Sequence, residues 1–267
     1  MMSQYRAVPR DGLAWVTGAS SGIGKAVALE LSRRGFVVIA TARRLDQLEQ
    51  LAQEAEQFSG RIIPRAADVT DRTGMAQLVA SLEQDHGPVN LAFFNVGTFL
   101  PDDLGTFGGD GFRATFDVNI NGTLNALGPL LPLMQARGRG QVAINASVAG
   151  YGGLPRASAY GATKAALINM CESLKFSLDP QGITIQVVNP GFVRTPLTDK
   201  NDFPMPFLVE LDEAAHRICD GFAKGGFEIA FPRRLAWILK FLNMLPYPLY
   251  FWLLKFVTRE KHQGETR

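Results

Sequence analysis

The stretch that most narrows what this chain can fold into is Leu13-Ala-Trp-Val-Thr17, followed at once by Gly18-Ala19-Ser20-Ser21-Gly22-Ile23-Gly24. The short apolar run predicts a buried strand. Behind the glycines, residues 25–34 set Ala26, Leu29 and the Val27/Leu31 side in a helical pattern. Glycine permits a tight turn and the close approach of a pyrophosphate, and a helix N-terminus offers free N–H groups and a favourable dipole. The spacing is Gly-x3-Gly-x-Gly, and a plain βα turn can carry the same letters. The flanking strand and helix favour the phosphate-binding reading.

The alternation continues to residue 231. Apolar strands are predicted at 36–41, Arg61–Ala66, Val89–Phe94, 141–145 and 183–188. Helical patterns fall at 45–58, from a Thr70 or Asp71 cap to His86, at 112–136 and at 157–178. Gly87-Pro88, Asp179-Pro180-Gln181-Gly182 and Asn189-Pro190-Gly191 punctuate them. This order predicts a doubly wound, Rossmann-like α/β fold, a parallel sheet with helices on both faces and right-handed crossovers. The length of 267 residues suits one large domain. We place it at residues 1–232, with a helical C-terminal extension at 233–267.

A net charge of +2 makes no case for nucleic acid. Cys171 and Cys219 lack ligand spacing and read as free buried thiols of a reducing compartment, and the three scattered histidines offer no metal site. The polar start lacks an apolar signal region, so a cytoplasmic protein is expected.

Several positions carry chemistry. The second strand ends in Ala42-Arg43-Arg44, where a reader of NAD usually carries an acid for the ribose 2′-hydroxyl. Guanidinium groups there suit a 2′-phosphate, hence NADP(H), although two solvated arginines would read the same. Asn95-Val96-Gly97 turns at the carboxyl edge of the sheet, where ligands bind. Asn119 lies in a helical pattern, where a buried Asn usually satisfies a neighbouring backbone group. On a helix, Tyr160 and Lys164 sit one turn apart on one face. An ammonium beside a phenol favours the phenolate and prepares it to exchange a proton with a carbonyl or alcohol. By itself that pair recurs by chance on many helices.

Taken together, Thr17-Gly18-Ala19-Ser20-Ser21-Gly22-Ile23-Gly24, Asp68-Val69, Asn95-Val96-Gly97, Asn119, Ser147, Tyr160-x3-Lys164 and Pro190-Gly191-x3-Thr195 resemble the short-chain dehydrogenase/reductase family over residues 12–232. The resemblance implies a catalytic set of Asn119, Ser147, Tyr160 and Lys164. Tyr160 would be the general acid in carbonyl reduction, and Ser147 would bond the substrate oxygen. Lys164 would lower the Tyr160 pKa and hold the nicotinamide ribose, and Asn119 would position a relay water. Gly18, Ser20, Ser21, Gly22, Ile23 and Gly24 would cradle the cofactor, with Arg43 and Arg44 at its 2′-phosphate. Asp68 and Val69 would meet the adenine. Asn95, Val96 and Gly97 would form the cofactor floor, and Pro190, Gly191, Val193 and Thr195 would line the nicotinamide end. The family usually reads Asn-Asn-Ala-Gly where this chain has Phe94-Asn95-Val96-Gly97, which implies altered local packing. The expected activity is NADP(H)-dependent interconversion of a carbonyl and a secondary alcohol on a hydrophobic or lipid-like substrate. An NAD-dependent alcohol dehydrogenase and a non-catalytic dinucleotide sensor are the alternatives. The family also implies a homodimer or homotetramer, paired through the helices at 112–136 and 157–178. Pocket candidates are Phe99, Leu100, Tyr151, Leu154, Phe192 and residues 201–211.

After Pro232 the chain runs Arg-Arg-Leu-Ala-Trp-Ile-Leu-Lys-Phe-Leu-Asn-Met-Leu-Pro-Tyr-Pro-Leu-Tyr-Phe-Trp-Leu-Leu-Lys-Phe-Val257. Each half is too short to span a bilayer, which takes about 20 apolar residues. Three readings stay open: packing on its own domain, packing on a second subunit, or peripheral contact with a membrane surface through residues 233–257.

Overall fold

Leu13 and Trp15 face one side of the first strand, and Ala14 and Val16 face the other, so both faces must be covered. The computed structural model, which describes residues 4–100, 107–196, 198 and 205–259, shows how. Strands β1 (Leu13–Thr17), β2 (Val37–Ala42), β3 (Arg61–Ala66), β4 (Val89–Phe94), β5 (Gly140–Asn145), β6 (Ile183–Pro190) and β7 (Glu228–Phe231) form one parallel sheet in the order 3-2-1-4-5-6-7. Helices α1 (Gly22–Arg33), α2 (Leu45–Glu54) and α7 (Leu211–Lys224) cover one face, through Val27, Leu31, Leu48, Leu51, Ile218 and Phe222. The other face carries α3 (Arg72–His86), α5 (Gly122–Arg137) and α6 (Ser158–Leu178), through Val79, Leu82, Leu130, Met134 and Leu167. The strand order reverses between β1 and β4, which opens a crevice at the carboxyl edge.

The pattern at 112–136, expected as one helix, is three pieces. A short α4 (Asp110–Phe116) leads into a π-helical turn (Asp117–Asn121) and then α5. The wider turn buries Asn119 while Asp117 and Asn121 face solvent. The helix expected to run to residue 58 ends at Glu54, and β6 continues through Asn189 and Pro190 to pair with β7. Cys171 and Cys219 are free and buried.

The extension forms α8 (Arg233–Asn243) and α9 (Tyr247–Arg259). Leu235 and Ala236 pack on Val148, with Tyr151, Phe192 and Leu239 around them. The Tyr250 hydroxyl donates to the Gly153 carbonyl at 2.7 Å. Packing on its own domain is therefore real for one side of the extension. No helix among the described residues is long and apolar enough to cross a membrane.

Candidate active site

The turn between β1 and α1 is built by close backbone approach. Gly18 and Gly22 hold φ of +68° and +55°, in the left-handed region that favours glycine. A Cβ on Gly24 would lie 2.2 Å from the Gly18 carbonyl oxygen. Asp71 caps α3 by accepting from the Gly74 N–H, but no side chain caps α1. The first-turn N–H groups of α1 thus face the crevice without a side-chain acceptor, which suits an anion. Thr195 comes within 3.6 Å of where a Gly22 Cβ would be, so the loop after β6 reaches this turn. These residues fit the pyrophosphate of a nicotinamide dinucleotide.

Around the crevice, Arg43 and Arg44 are exposed at the end of β2. Arg44 reaches Ser20 Oγ at 3.4 Å. The Asp68 carboxylate accepts from the Thr70 N–H and hydroxyl, at 2.9 and 2.8 Å. These bonds, with Arg43 nearby, hold it below its usual range. Val69 is buried. Asn95 Nδ2 points to the Gly18 carbonyl at 3.5 Å. Phe94, the departure from the family pattern, stacks edge-on against Trp15 with ring centroids 5.4 Å apart. Two large rings thus fill the core under this turn.

The catalytic candidates meet next to this cradle. The first turns of α6 bring Lys164 Nζ to 5.5 Å from the Tyr160 ring centroid. Phe99 stands edge-on to Tyr160 at 5.2 Å. Buried Lys164 donates to the Asn145 carbonyl at 2.7 Å. Ser147 lies two residues past the end of β5, where its hydroxyl accepts from the Ala149 N–H at 3.1 Å and donates to the Pro190 carbonyl at 3.4 Å. Its hydroxyl is close enough to the Tyr160 phenol to draw the phenol's pKa down.

Burial governs the electrostatics here. It pushes the Tyr160 phenol up, against a lowering influence from Ser147. It brings the Lys164 ammonium down to about 7. The depression of Tyr160 expected from Lys164 is not what the geometry gives: burial raises the phenol and Ser147 is the influence that lowers it. The linkage sign follows from the direction of the lysine shift. Above pH of about 7 and up to the ordinary lysine value, the unfolded chain binds more protons at this position than the folded one, so stability rises with pH. The urea midpoint should rise from pH 7 to about 7.5, a window kept below the value of about 8.5 at which cysteine thiols of an unfolded chain ionise. Lys164→Met should flatten that rise. An unchanged slope in the variant would remove Lys164 from the pH response.

Asn119 binds protein groups with its whole side chain. Its Oδ1 accepts from the Thr98 N–H at 2.8 Å, and its Nδ2 donates to the Thr98 carbonyl at 3.1 Å and the Thr163 hydroxyl at 3.0 Å. It clamps the loop after β4 to α6, as a buried Asn usually does. Asn145 was not visible as a site residue. Its carbonyl holds Lys164, and its Nδ2 donates to Asn95 Oδ1 at 2.9 Å, tying the lysine to the cofactor floor. An Asn at the end of an apolar run was the only signal for it. Glu228 was also missed. It accepts from Tyr151 at 2.6 Å and Asn189 at 2.8 Å, and pairs with Lys240 of α8. Of the pocket candidates, Phe99 touches Tyr160, while residues 201–204 lie outside the described residues.

Comparison with known proteins bears on the family and the fold. Residues 13–204 match the family model described as short chain dehydrogenase. An uncharacterized oxidoreductase of Myxococcus xanthus is 37% identical over 237 residues, which cover 89% of this chain and 94% of the relative. A 3-oxoacyl-(acyl-carrier-protein) reductase of Thermotoga maritima is 32% identical over 185 residues, 69% of this chain and 75% of the relative. Among solved structures, a short-chain dehydrogenase from Streptomyces avermitilis superposes with a TM-score of 0.78 at 26% identity, covering 93% of this chain and 98% of the other. A short-chain dehydrogenase from Sphingobium yanoikuyae in complex with NADPH superposes at 0.77 with 23% identity, covering 96% and 98%, which speaks for the fold. The family model spans most of the chain and the Myxococcus xanthus relative covers 89% of it, so the chain belongs to the short-chain dehydrogenase family of oxidoreductases.

Proposed function

We propose that the protein interconverts a hydrophobic carbonyl and its secondary alcohol with NADP(H), using the residues of domain 1–232. The convergence of Ser147, Tyr160 and Lys164 beside the glycine cradle carries this reading. A bound nicotinamide dinucleotide supplies the hydride in reduction and accepts it in oxidation. Tyr160 donates its phenolic proton to the oxygen as negative charge develops there. Ser147 hydrogen-bonds the same oxygen and stabilises that charge. Lys164, held by the Asn145 carbonyl and with a pKa of about 7, exchanges protons near neutral pH and restores the phenol. Asn119 keeps the loop carrying Phe99 against α6, so that the phenol and the substrate wall hold a fixed relation.

Arg43 and Arg44 support the NADP preference, because nothing acidic stands at the end of β2 to receive a ribose hydroxyl. The relative solved with NADPH is consistent with that preference. Arg43→Ala/Arg44→Ala should weaken NADPH about tenfold or more, the scale of a lost charge-assisted hydrogen bond, and leave NADH nearly unchanged. Equal starting affinities for NADPH and NADH, measured by fluorescence titration, would instead favour the NAD-dependent alternative. For the substrate, Phe99 beside Tyr160 favours an apolar carbonyl, and the Thermotoga maritima relative points toward acyl chains. The test is NADPH oxidation over a panel of acyl, steroid-like and small ketones. No turnover with any of them would sink the reading. Leu124 of α5 and Phe176 of α6, both in solvent, support pairing of those helices into a dimer or tetramer.

A further inference from the structure

The extension has two faces of opposite character. The inner one is fixed to the domain by Leu235 and Ala236 on Val148, by Lys240 on Glu228 and by Tyr250 on Gly153. The outer one is apolar and exposed. On α8 and its C-cap, Trp237, Phe241 and Met244 stand in solvent at 71%, 63% and 82% exposure, at the spacing of a single helical stripe. On α9, Trp252 and Phe256 are 60% exposed each, and their rings stack on one another. Soluble surfaces seldom leave so many large apolar side chains together without an occupant.

Charge decides what that occupant is. The extension, residues 233–267, contains seven Lys and Arg (Arg233, Arg234, Lys240, Lys255, Arg259, Lys261 and Arg267) against two acids, Glu260 and Glu265. Arg233 and Arg234 are exposed and have no acidic partner among the described residues. In a two-fold contact between copies, this net-positive face would meet itself, bringing Arg233 and Arg234 toward their own copies. An anionic lipid surface offers an apolar layer for the aromatic rings and phosphates for the guanidinium groups. α8 and α9, of 11 and 13 residues, are too short to cross a bilayer and suit a position flat in its interface.

We infer that the outer face of α8 and α9 docks this protein on an anionic lipid surface. The inner face of α8 packs on Val148, the neighbour of Ser147, and Leu235 lies against Gly191, so docking places the active-site end of the sheet beside the lipid.

The test is flotation of the full chain with vesicles of phosphatidylcholine alone and of phosphatidylcholine mixed with phosphatidylglycerol. The expected result is binding about tenfold or more stronger to the anionic vesicles, since each basic residue near such a surface contributes about 1 kcal/mol. Fluorescence of Trp237 and Trp252 should shift to the blue on binding. Trp237→Ser/Phe241→Ser/Trp252→Ser/Phe256→Ser should abolish flotation, and Arg233→Glu/Arg234→Glu should remove the preference for anionic lipid. These side chains are exposed, so the variants keep NADPH binding, which reports the fold independently of docking. Absence of flotation, flotation that survives the fourfold substitution, or a fourfold variant whose only change is a smaller oligomer would each overturn the proposal. The last outcome would assign the face to a second copy of the chain.

Discussion

Tyr160→Phe should lower turnover by about 10²–10⁴-fold, the usual contribution of a positioned general acid, while the protein keeps its fold. The ring survives the substitution, and with it the edge contact to Phe99 at 5.2 Å and the approach of Lys164 at 5.5 Å. What disappears is the hydroxyl, a group that burial holds in its protonated form. Thermal unfolding should therefore change little, and NADPH should bind nearly as well. Steady-state rates with a verified carbonyl, measured beside NADPH titrations, separate chemistry from binding. Turnover within about threefold of the parent, far from the span of such contributions, would take the phenol out of the mechanism.

Gly24→Ala should be the most damaging single methyl group in the molecule's cofactor site. The added carbon would sit 2.2 Å from the Gly18 carbonyl oxygen, 2.5 Å from Asn95 Nδ2 and 2.8 Å from the Gly18 carbonyl carbon. Two of these neighbours are backbone, so relief requires moving the turn that cradles the pyrophosphate. Overpacking of this kind costs about 1–3 kcal/mol of stability, and the displaced N–H groups should weaken dinucleotide binding about tenfold or more. Gly128→Ala is the matched control. It lies within α5 with nothing within 4 Å of the new carbon, so it should be neutral or stabilising by up to about 1 kcal/mol. Melting temperatures and NADPH titrations on both variants decide the matter. A Gly24→Ala protein that melts and binds like the parent would mean that α1 and Gly18 are not in the close contact described.

Much of this was legible before any coordinates. Strand–turn–helix patterns are local, and period-two and period-3.6 spacing placed β1 through β6 to within two residues at each end. Tyr160 and Lys164 were legible for the same reason, because four residues on one helix determine a shared face. The unseen parts depend on contacts between elements far apart in sequence. Nothing near Asn145 indicates that its carbonyl will hold a lysine 19 residues later. The π-helical turn inserts an irregularity into an otherwise helical pattern, and only the neighbouring loop and α6 show why Asn119 turns inward. The lowering of the Tyr160 pKa expected from the Lys164 spacing gives way to a rise, because burial acts on the phenol and a four-residue spacing does not report burial. For the extension, composition identified an unusual segment, but only the structure divides it into a side fixed to the domain and a side left in solvent.

The strand order also bears on how the molecule assembles. β1, made first, finds its neighbours in β2 and β4, so the central strand is half paired until residues 89–94 have been synthesised. The glycine turn belongs to the early half, yet Asn95, which steadies the Gly18 carbonyl, arrives with the later one. Docking of the two halves is a non-local step, the kind that sets the pace of folding in sheets of this topology. The nucleotide cradle is complete only at that seam, so its first appearance during refolding marks the moment when the two halves of the sheet join.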